Sequence, residues 1–331
     1  MNKLNIALLA GGDSSEREVS LRSAKFVAGR LDREKYNIYH VDIHGLDWKC
    51  TAPSGHTAQV DRNDFSVVVE GERVRFDFAL IIIHGTPGED GRLQGYLDMT
   101  GVPYSSCGMT SSVITFDKST AKRAVAGTGI NLARELFIRR GERPDPAQMV
   151  AGLGLPMFVK PNASGSSCGV TKVCCMEEVI PAVEAALAES DEALAEEFVA
   201  GREFGCGVMV AGGREWVFPL TEIVPHKEFF DYEAKYTAGF SEEITPAKLD
   251  EHIAAEIRRM ALAAYRACRC SGVVRVDFIV TPEGKPYMIE VNSIPGMSAE
   301  SIIPKQLAAA GMSVGELYDI IIADRLSGHD H

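Results

Sequence analysis

Val273-Val-Arg-Val-Asp-Phe-Ile-Val-Thr-Pro-Glu-Gly-Lys-Pro-Tyr-Met-Ile-Glu-Val-Asn292 reads as strand, turn, strand. Two apolar runs flank Pro282-Glu-Gly-Lys285, and paired proline and glycine punctuate a tight turn. A turn centred between Glu283 and Gly284 sets an antiparallel register in which Asp277 faces Glu290 and Arg275 faces Asn292. Side chains alternate along a strand, so all four then point to one face. Two carboxylates and an amide oxygen converging in otherwise core-like strands need a partner, and a hard cation such as Mg2+ suits them. Arg275 beside them is placed to stabilise negative charge on a transferring phosphoryl group or an oxyanion. The other reading is a solvated hairpin face with an Arg–Asp pair, and a register slip of one residue would split the set. Charges set into strands this apolar favour the metal.

Around this hairpin the chain divides into three segments: 1–104, 105–192 and 193–331. The first opens with an apolar strand at 4–10 and a Gly11-Gly12 turn. Ser15 and Glu18 then fit a capping box for a helix running to about residue 31. An alternating strand at 36–43, a hairpin around Gly71-Glu72 and a fully apolar strand at 79–83 follow. This β-α-β opening predicts a doubly wound α/β domain with ligand loops at the strand carboxyl ends. The second segment predicts a helix carrying Asp117 and Lys118, a strand at 132–138, a helix at 146–153, and strands at 156–160 and 170–173. The third predicts strands at 193–199, 203–210 and 216–223, a polar aromatic loop over 225–246, a helix at 247–270, the hairpin and closing helices. The fold class is thus mixed α/β and α+β in three domains.

Composition narrows the function. Hydrophobic residues make up 46% and charged residues 24% of 331, an ordinary globular mix. No apolar run approaches the roughly 18 residues of a membrane span, and the start lacks a long signal core, so the expected location is the cytoplasm. A formal net charge of −12 argues against nucleic acid as partner, while a few local lysines suffice for one nucleotide. The eight cysteines show no pair of C-x-x-C motifs, which favours reduced, mostly buried small residues over a zinc site.

Other stretches carry binding chemistry. Asn162-Ala-Ser-Gly-Ser-Ser-Cys-Gly169 sits between two strands, and its glycines and serines, with Lys160 before them, suit a phosphate; a flexible hairpin loop explains it equally well. Neither a P-loop nor a dinucleotide fingerprint is present. His84-Gly-Thr-Pro-Gly-Glu-Asp-Gly91 leaves a buried strand, where a histidine meets either a ligand or a loop carbonyl. Glu16 in a first helical turn is favoured by the helix dipole in any case. Phe230-Asp-Tyr-Glu-Ala-Lys-Tyr236 lies in a long loop of the kind used as lids, or pinned to the surface by its aromatics.

Together Gly11-Gly-Asp-Ser-Ser-Glu-Arg-Glu-Val-Ser-Leu21, the His84–Gly91 stretch, Asp231-Tyr-Glu-Ala-Lys-Tyr236 and Glu290-Val-Asn-Ser-Ile-Pro-Gly-Met297 resemble the D-alanine–D-alanine ligases, a family of ATP-grasp enzymes. The resemblance runs in order over nearly the whole chain. It implies three domains with ATP between the second and third, and ligation of two D-alanines through an acyl phosphate for peptidoglycan synthesis. An ATP-grasp ligase using another amine or D-lactate is the alternative. By resemblance Glu16 holds the ammonium of the first D-alanine and His84 assists its carboxylate. Lys118, Lys160 and Lys235 contact ATP phosphates, and Ser166 and Ser167 lie on the phosphate loop. Glu196, Glu197, Val199 and Glu203 bind adenine and ribose. Asp277, Glu290 and Asn292 hold two Mg2+ ions, for which Mn2+ can substitute. Arg275 and the Gly296 amide form the oxyanion site, Ser301 receives the second carboxylate, and Tyr236 closes the lid. A homodimer is implied as well. The chain departs from the family pattern at Ala163-Ser164, where Arg-Glu is frequent, at Glu197, where lysine is common, and at Thr86-Pro87, which replaces a glycine-rich pair.

Overall fold

The computed structural model describes residues 3–163, 168–225 and 241–328. Its described strands form three sheets, each with its own packed layer. The first sheet has the order β6-β5-β4-β3-β2-β1-β7. β1 (Leu4–Gly11) lies parallel to both β2 (Tyr36–His44) and β7 (Phe78–Ile81). β3 (Asp47–Thr51), β4 (Thr57–Asp61), β5 (Ser66–Val69) and β6 (Glu72–Arg75) extend it antiparallel. β1 is buried along Ile6–Leu9, as an interior strand paired on both sides in a parallel arrangement must be.

Helix α1 (Arg17–Ala28) follows β1, but the expected Ser15 capping box does not form. Glu16 is the cap residue instead, and Ser14 Oγ accepts the Glu16 N–H while donating to the His84 carbonyl at 2.7 Å. The start of the helix is thus tied to the loop that follows the neighbouring strand β7 rather than to itself. α2 (Arg92–Thr100) and α3 (Met109–Phe116) complete this end.

The helix expected to carry Asp117 and Lys118 is two helices. Asp117 takes an extended conformation, and its carboxylate accepts the Thr120 N–H at 2.7 Å, which starts α4 (Lys118–Val125) anew. The second sheet has the order β10-β9-β11-β8 and is antiparallel: β8 (Glu135–Arg139), β9 (Met157–Pro161), β10 (Thr171–Val173) and β11 (Glu192–Glu197). β11 belongs to this sheet, which therefore runs across the boundary drawn at 192/193. α5 (Pro146–Leu153) matches its expected span, because Asp145 caps it, Pro146 opens it and Gly154 ends it. α6 (Val179–Glu189) covers the sheet.

The third sheet has the order β15-β14-β12-β16-β17, with β13 beside β12. Its strands are β12 (Arg202–Ala211), β13 (Arg214–Val217), β14 (Thr221–Pro225), β15 (Ser241–Ile244), β16 (Gly272–Val280) and β17 (Pro286–Asn292). The strand expected over 216–223 splits in two where Phe218 turns its N–H to Gly207. α7 (Glu251–Ala267) packs its buried face, Ile257, Met260 and Ala264, on one side. α8 (Ile302–Ala309) and α9 (Val314–Leu326) close the chain.

The hairpin register holds at the site, for a different reason than the turn. Near the turn, Val280 pairs with Pro286 and Phe278 with Met288, a register centred on Glu283. A shift between Asp277 and Phe278 then leaves Ile289 as an extra residue, and beyond it Asp277 faces Glu290 and Arg275 faces Asn292. This β-bulge lets Met288 and Phe278 share the buried cluster while Glu290 faces the other way with Asp277. Without the extra residue, strict alternation would put Met288 and Glu290 on one face.

The cysteine expectation holds in part. Cys50, Cys107, Cys206, Cys268 and Cys270 are buried, Cys168 is half-buried, and Cys174 and Cys175 are exposed. No described helix is long and apolar enough to cross a membrane.

Candidate active site

One cavity of about 590 Å³ opens where the three sheets meet. Its walls come from the loops after β1 and β7, the start of α4, β9, β11, the open face of the third sheet and the loop into α8. Every described residue singled out from the sequence lines it: Glu16, His84, Lys118, Lys160, Glu196, Glu197, Val199, Glu203, Arg275, Asp277, Glu290, Asn292, Gly296 and Ser301. Ser166, Ser167, Lys235 and Tyr236 lie outside the described residues.

The carboxylate face is held together by Arg275. Its Nε and Nη2 donate to both oxygens of Asp277, at 2.7 and 2.8 Å, which leaves Nη1 unused by Asp277. The Arg–Asp pair of the alternative reading is therefore real, but it sits inside a cavity rather than on a solvated face. Burial works against the Arg275 charge, yet Asp277, Glu290 and Glu203 outweigh it and hold the guanidinium protonated. Asn292 Nδ2 donates to Asp277 at 2.9 Å, so its Oδ1 is the end left for a cation. Lys118 Nζ stands 3.7 Å from Glu290. Gly205 packs closely opposite: a Cβ there would lie 3.2 Å from Arg275 and 3.3 Å from Asp277, so the pair would have to shift by a few tenths of an ångström.

A buried basic network forms the second wall. Glu196 lies between Lys160, at 2.5 Å, and Lys122. Burial alone would raise its carboxyl, but the two lysines hold it below the usual range. Lys122 also meets Glu135 at 3.1 Å. Asn162 is fully buried and joins this wall to α4: its Nδ2 donates to Asp117 and Glu192, and its Oδ1 accepts the Ser119 N–H. Glu197 is held by Arg134, accepting its backbone N–H at 2.8 Å and its Nε at 2.5 Å. Glu203 stands in one cross-strand row with Ile223 and Ile279.

The third wall is made of loops. His84 is buried, and its Nδ1 lies 3.0 Å from the Ile294 carbonyl. A carbonyl only accepts, so Nδ1 carries the proton and the tautomer is fixed. Glu89 accepts the Gly85 N–H at 2.7 Å and also the Ile294 N–H. Burial and then the Glu16 charge push its carboxyl up to about 7. Gly296 packs so closely that a Cβ would lie 2.9 Å from Ser301 Oγ. Ser301 stands at the N-cap position of α8 without capping it, and its Oγ instead accepts the Ser298 N–H at 3.0 Å.

Residues 5–107 match the family model described as D-ala D-ala ligase N-terminus, and residues 125–323 match the one described as D-ala D-ala ligase C-terminus. The chain belongs to the D-alanine–D-alanine ligase family. A family member from Phocaeicola vulgatus named D-alanine–D-alanine ligase is 47% identical over 323 residues, covering 98% of this chain and 99% of the relative. The VanG D-Ala:D-Ser ligase of Enterococcus faecalis superposes with a TM-score of 0.87 at 31% identity, covering 97% and 99%. The Bacillus anthracis D-alanine–D-alanine ligase complexed with ATP gives 0.78 at 30%, covering 98% of both chains. The three-sheet architecture is the ATP-grasp fold of these ligases.

Glu89, Lys122 and Asn162 were missed from the sequence. Glu89 lies within the His84–Gly91 stretch, but nothing there says whether it or Asp90 turns inward. Lys122 sits in Lys-Ser-Thr-Ala-Lys-Arg, an ordinary solvated helix by composition, and its partners come from strands 13 and 74 residues away. Asn162 reads from the sequence as the first residue of a phosphate loop, and nothing there shows that its side chain ties the end of β9 to the start of α4.

Proposed function

We propose that this protein uses ATP to join two D-alanines into D-alanyl-D-alanine, a precursor for peptidoglycan. The observation that carries it is the meeting, in one cavity, of the carboxylate–arginine face, the lysine wall and the Gly296–Ser301 loop. The donor set fits Mg2+: two carboxylates and an amide oxygen, all hard ligands on one face. Among the described residues, no three or more His, Cys, Asp or Glu side chains gather as a metal site, so the remaining ligands would be phosphate oxygens and water. Mg2+ held by Asp277, Glu290 and Asn292 would neutralise charge on the β- and γ-phosphates.

The chain's own groups then act in order. Glu196, Glu197, Val199 and Glu203 seat the nucleoside. Lys118 and Lys160, with Lys235, Ser166 and Ser167 on the segments beyond the described residues, hold the phosphates. Glu16 binds the ammonium of the first D-alanine, and His84 orients its carboxylate. A carboxylate oxygen attacks the γ-phosphorus, and ADP leaves. Ser301 receives the carboxylate of the second D-alanine, whose amine attacks the acyl-phosphate carbon. Arg275 Nη1 and the Gly296 N–H stabilise the oxyanion, and phosphate departs with the activated oxygen. Tyr236 covers the second substrate. By family we expect a cytoplasmic homodimer. ADP release with ATP, Mg2+ and D-alanine, with D-serine and D-lactate in parallel, tests this. Release with D-alanine supports the reading, and release with D-serine or D-lactate alone would reassign the nucleophile.

A further inference from the structure

Lys305 and Glu243 form an ion pair whose glutamate lines the same cavity and which has no part in the scheme above. Lys305 lies one turn into α8, and its backbone N–H returns to the Ser301 carbonyl at 3.3 Å. Helical side chains lean toward the helix N-terminus, and Lys305 Nζ reaches Glu243 Oε2 at 2.9 Å. The direction of Glu243 follows from register. It pairs with Ile223, Ile223 with Glu203, and Glu203 with Ile279. Ile279 is two residues from Asp277, so this row stands on the face that carries Asp277 and Arg275. Glu243 accordingly lines the cavity.

That cavity already holds Glu16, Glu89, Glu203 and Glu290. An amino acid arriving at Ser301 brings a carboxylate into this acidic surround. An unpaired Glu243 charge beside the first turn of α8 would oppose the favourable pull of the helix N-terminus. The side chains are 36% and 24% exposed, so solvent screens the pair and its contribution to folding is small. Its weight falls instead on a charged ligand entering the site, where complementarity decides affinity.

We propose that Lys305 is a positioning residue for the second substrate: by pairing with Glu243 it cancels a negative charge at the Ser301 end of the cavity and admits the carboxylate of the attacking amino acid. This rests on the ligase reading above.

Steady-state kinetics that resolve the two D-alanine KM values test it. Lys305→Met should raise the second KM about tenfold and leave the first KM and kcat within about twofold. The defect should shrink as salt rises, because it is a repulsion between partly exposed charges. Glu243→Gln added to Lys305→Met should return the second KM to within about twofold of the wild type, and Lys305→Arg should preserve it. A normal second KM in Lys305→Met, or a defect that Glu243→Gln does not relieve, overturns the proposal. A folded wild-type protein that releases no ADP with D-alanine overturns the ligase reading itself, and that outcome appears before any substitution is made.

Discussion

Replacing Glu290 with glutamine separates the two things its carboxylate could be doing. On the folding side, its charge partners include Lys118 at 3.7 Å, with side-chain exposures of 13% and 26%, and the Arg275 guanidinium. Coulomb's law at that distance and an effective dielectric of about 20 gives roughly 4 kcal/mol, which desolvation and solvent reduce to about 0–1 kcal/mol net. Neutralising Glu290 also relieves its repulsion of Glu89. Stability should therefore stay within about 1 kcal/mol of the wild type, no more than about 3 °C in Tm. On the catalytic side, a neutral amide replaces one of two anionic ligands facing the phosphates. A loss of about 4 kcal/mol in transition-state stabilisation corresponds to roughly a thousandfold in kcat. The assay is coupled ADP release over a Mg2+ titration, beside a thermal melt. Near-normal turnover at saturating Mg2+ would remove Glu290 from the metal set. A melting loss several-fold larger than expected would instead make it a structural residue.

Two more expectations follow from the buried charges. Lys122→Met leaves Glu196 and Glu135 without their shared cation, which should cost about 3–5 kcal/mol in urea unfolding; a change below about 1 kcal/mol would contradict the network. The Glu89 carboxyl rises from its ordinary 4.5 to about 7 in the folded chain. Between those values the folded state keeps a proton the unfolded state has released, so this contribution is full below about 4.5 and lost as pH rises to about 7. Glu89→Gln should therefore gain stability relative to the wild type across that window, measured by melts without Mg2+ or nucleotide; a pH-independent difference would refute the shift.

How much of this was legible in the sequence differs by element. The short elements with strong punctuation were readable, as Asp145-Pro146 and Gly154 show for α5. The hairpin face was readable because alternating charges in apolar strands leave few arrangements. The bulge at Ile289 was not, since one extra residue has no composition of its own and shows only in the pairing of two strands. Asp117 looked like a helical residue because its carboxylate suits a helix start as well as a helix surface. The helix break depends on Asn162, which donates an amide N–H to the Asp117 carboxylate and accepts the Lys118 N–H at its backbone carbonyl, 3.1 Å away. Lys122 needed two distant strands to become a buried charge. Long-range partners of this kind are what a single sequence does not display.

The central claim is that ATP activates a carboxylate that an amine then captures, and oxygen transfer tests it most directly. D-alanine labelled with 18O in its carboxylate is supplied with ATP and Mg2+, and phosphate and dipeptide are analysed by mass. The account predicts one labelled oxygen in the phosphate for each D-alanyl-D-alanine formed, because the oxygen that attacks phosphorus leaves with it. Dipeptide accompanied by unlabelled phosphate would contradict the acyl-phosphate route.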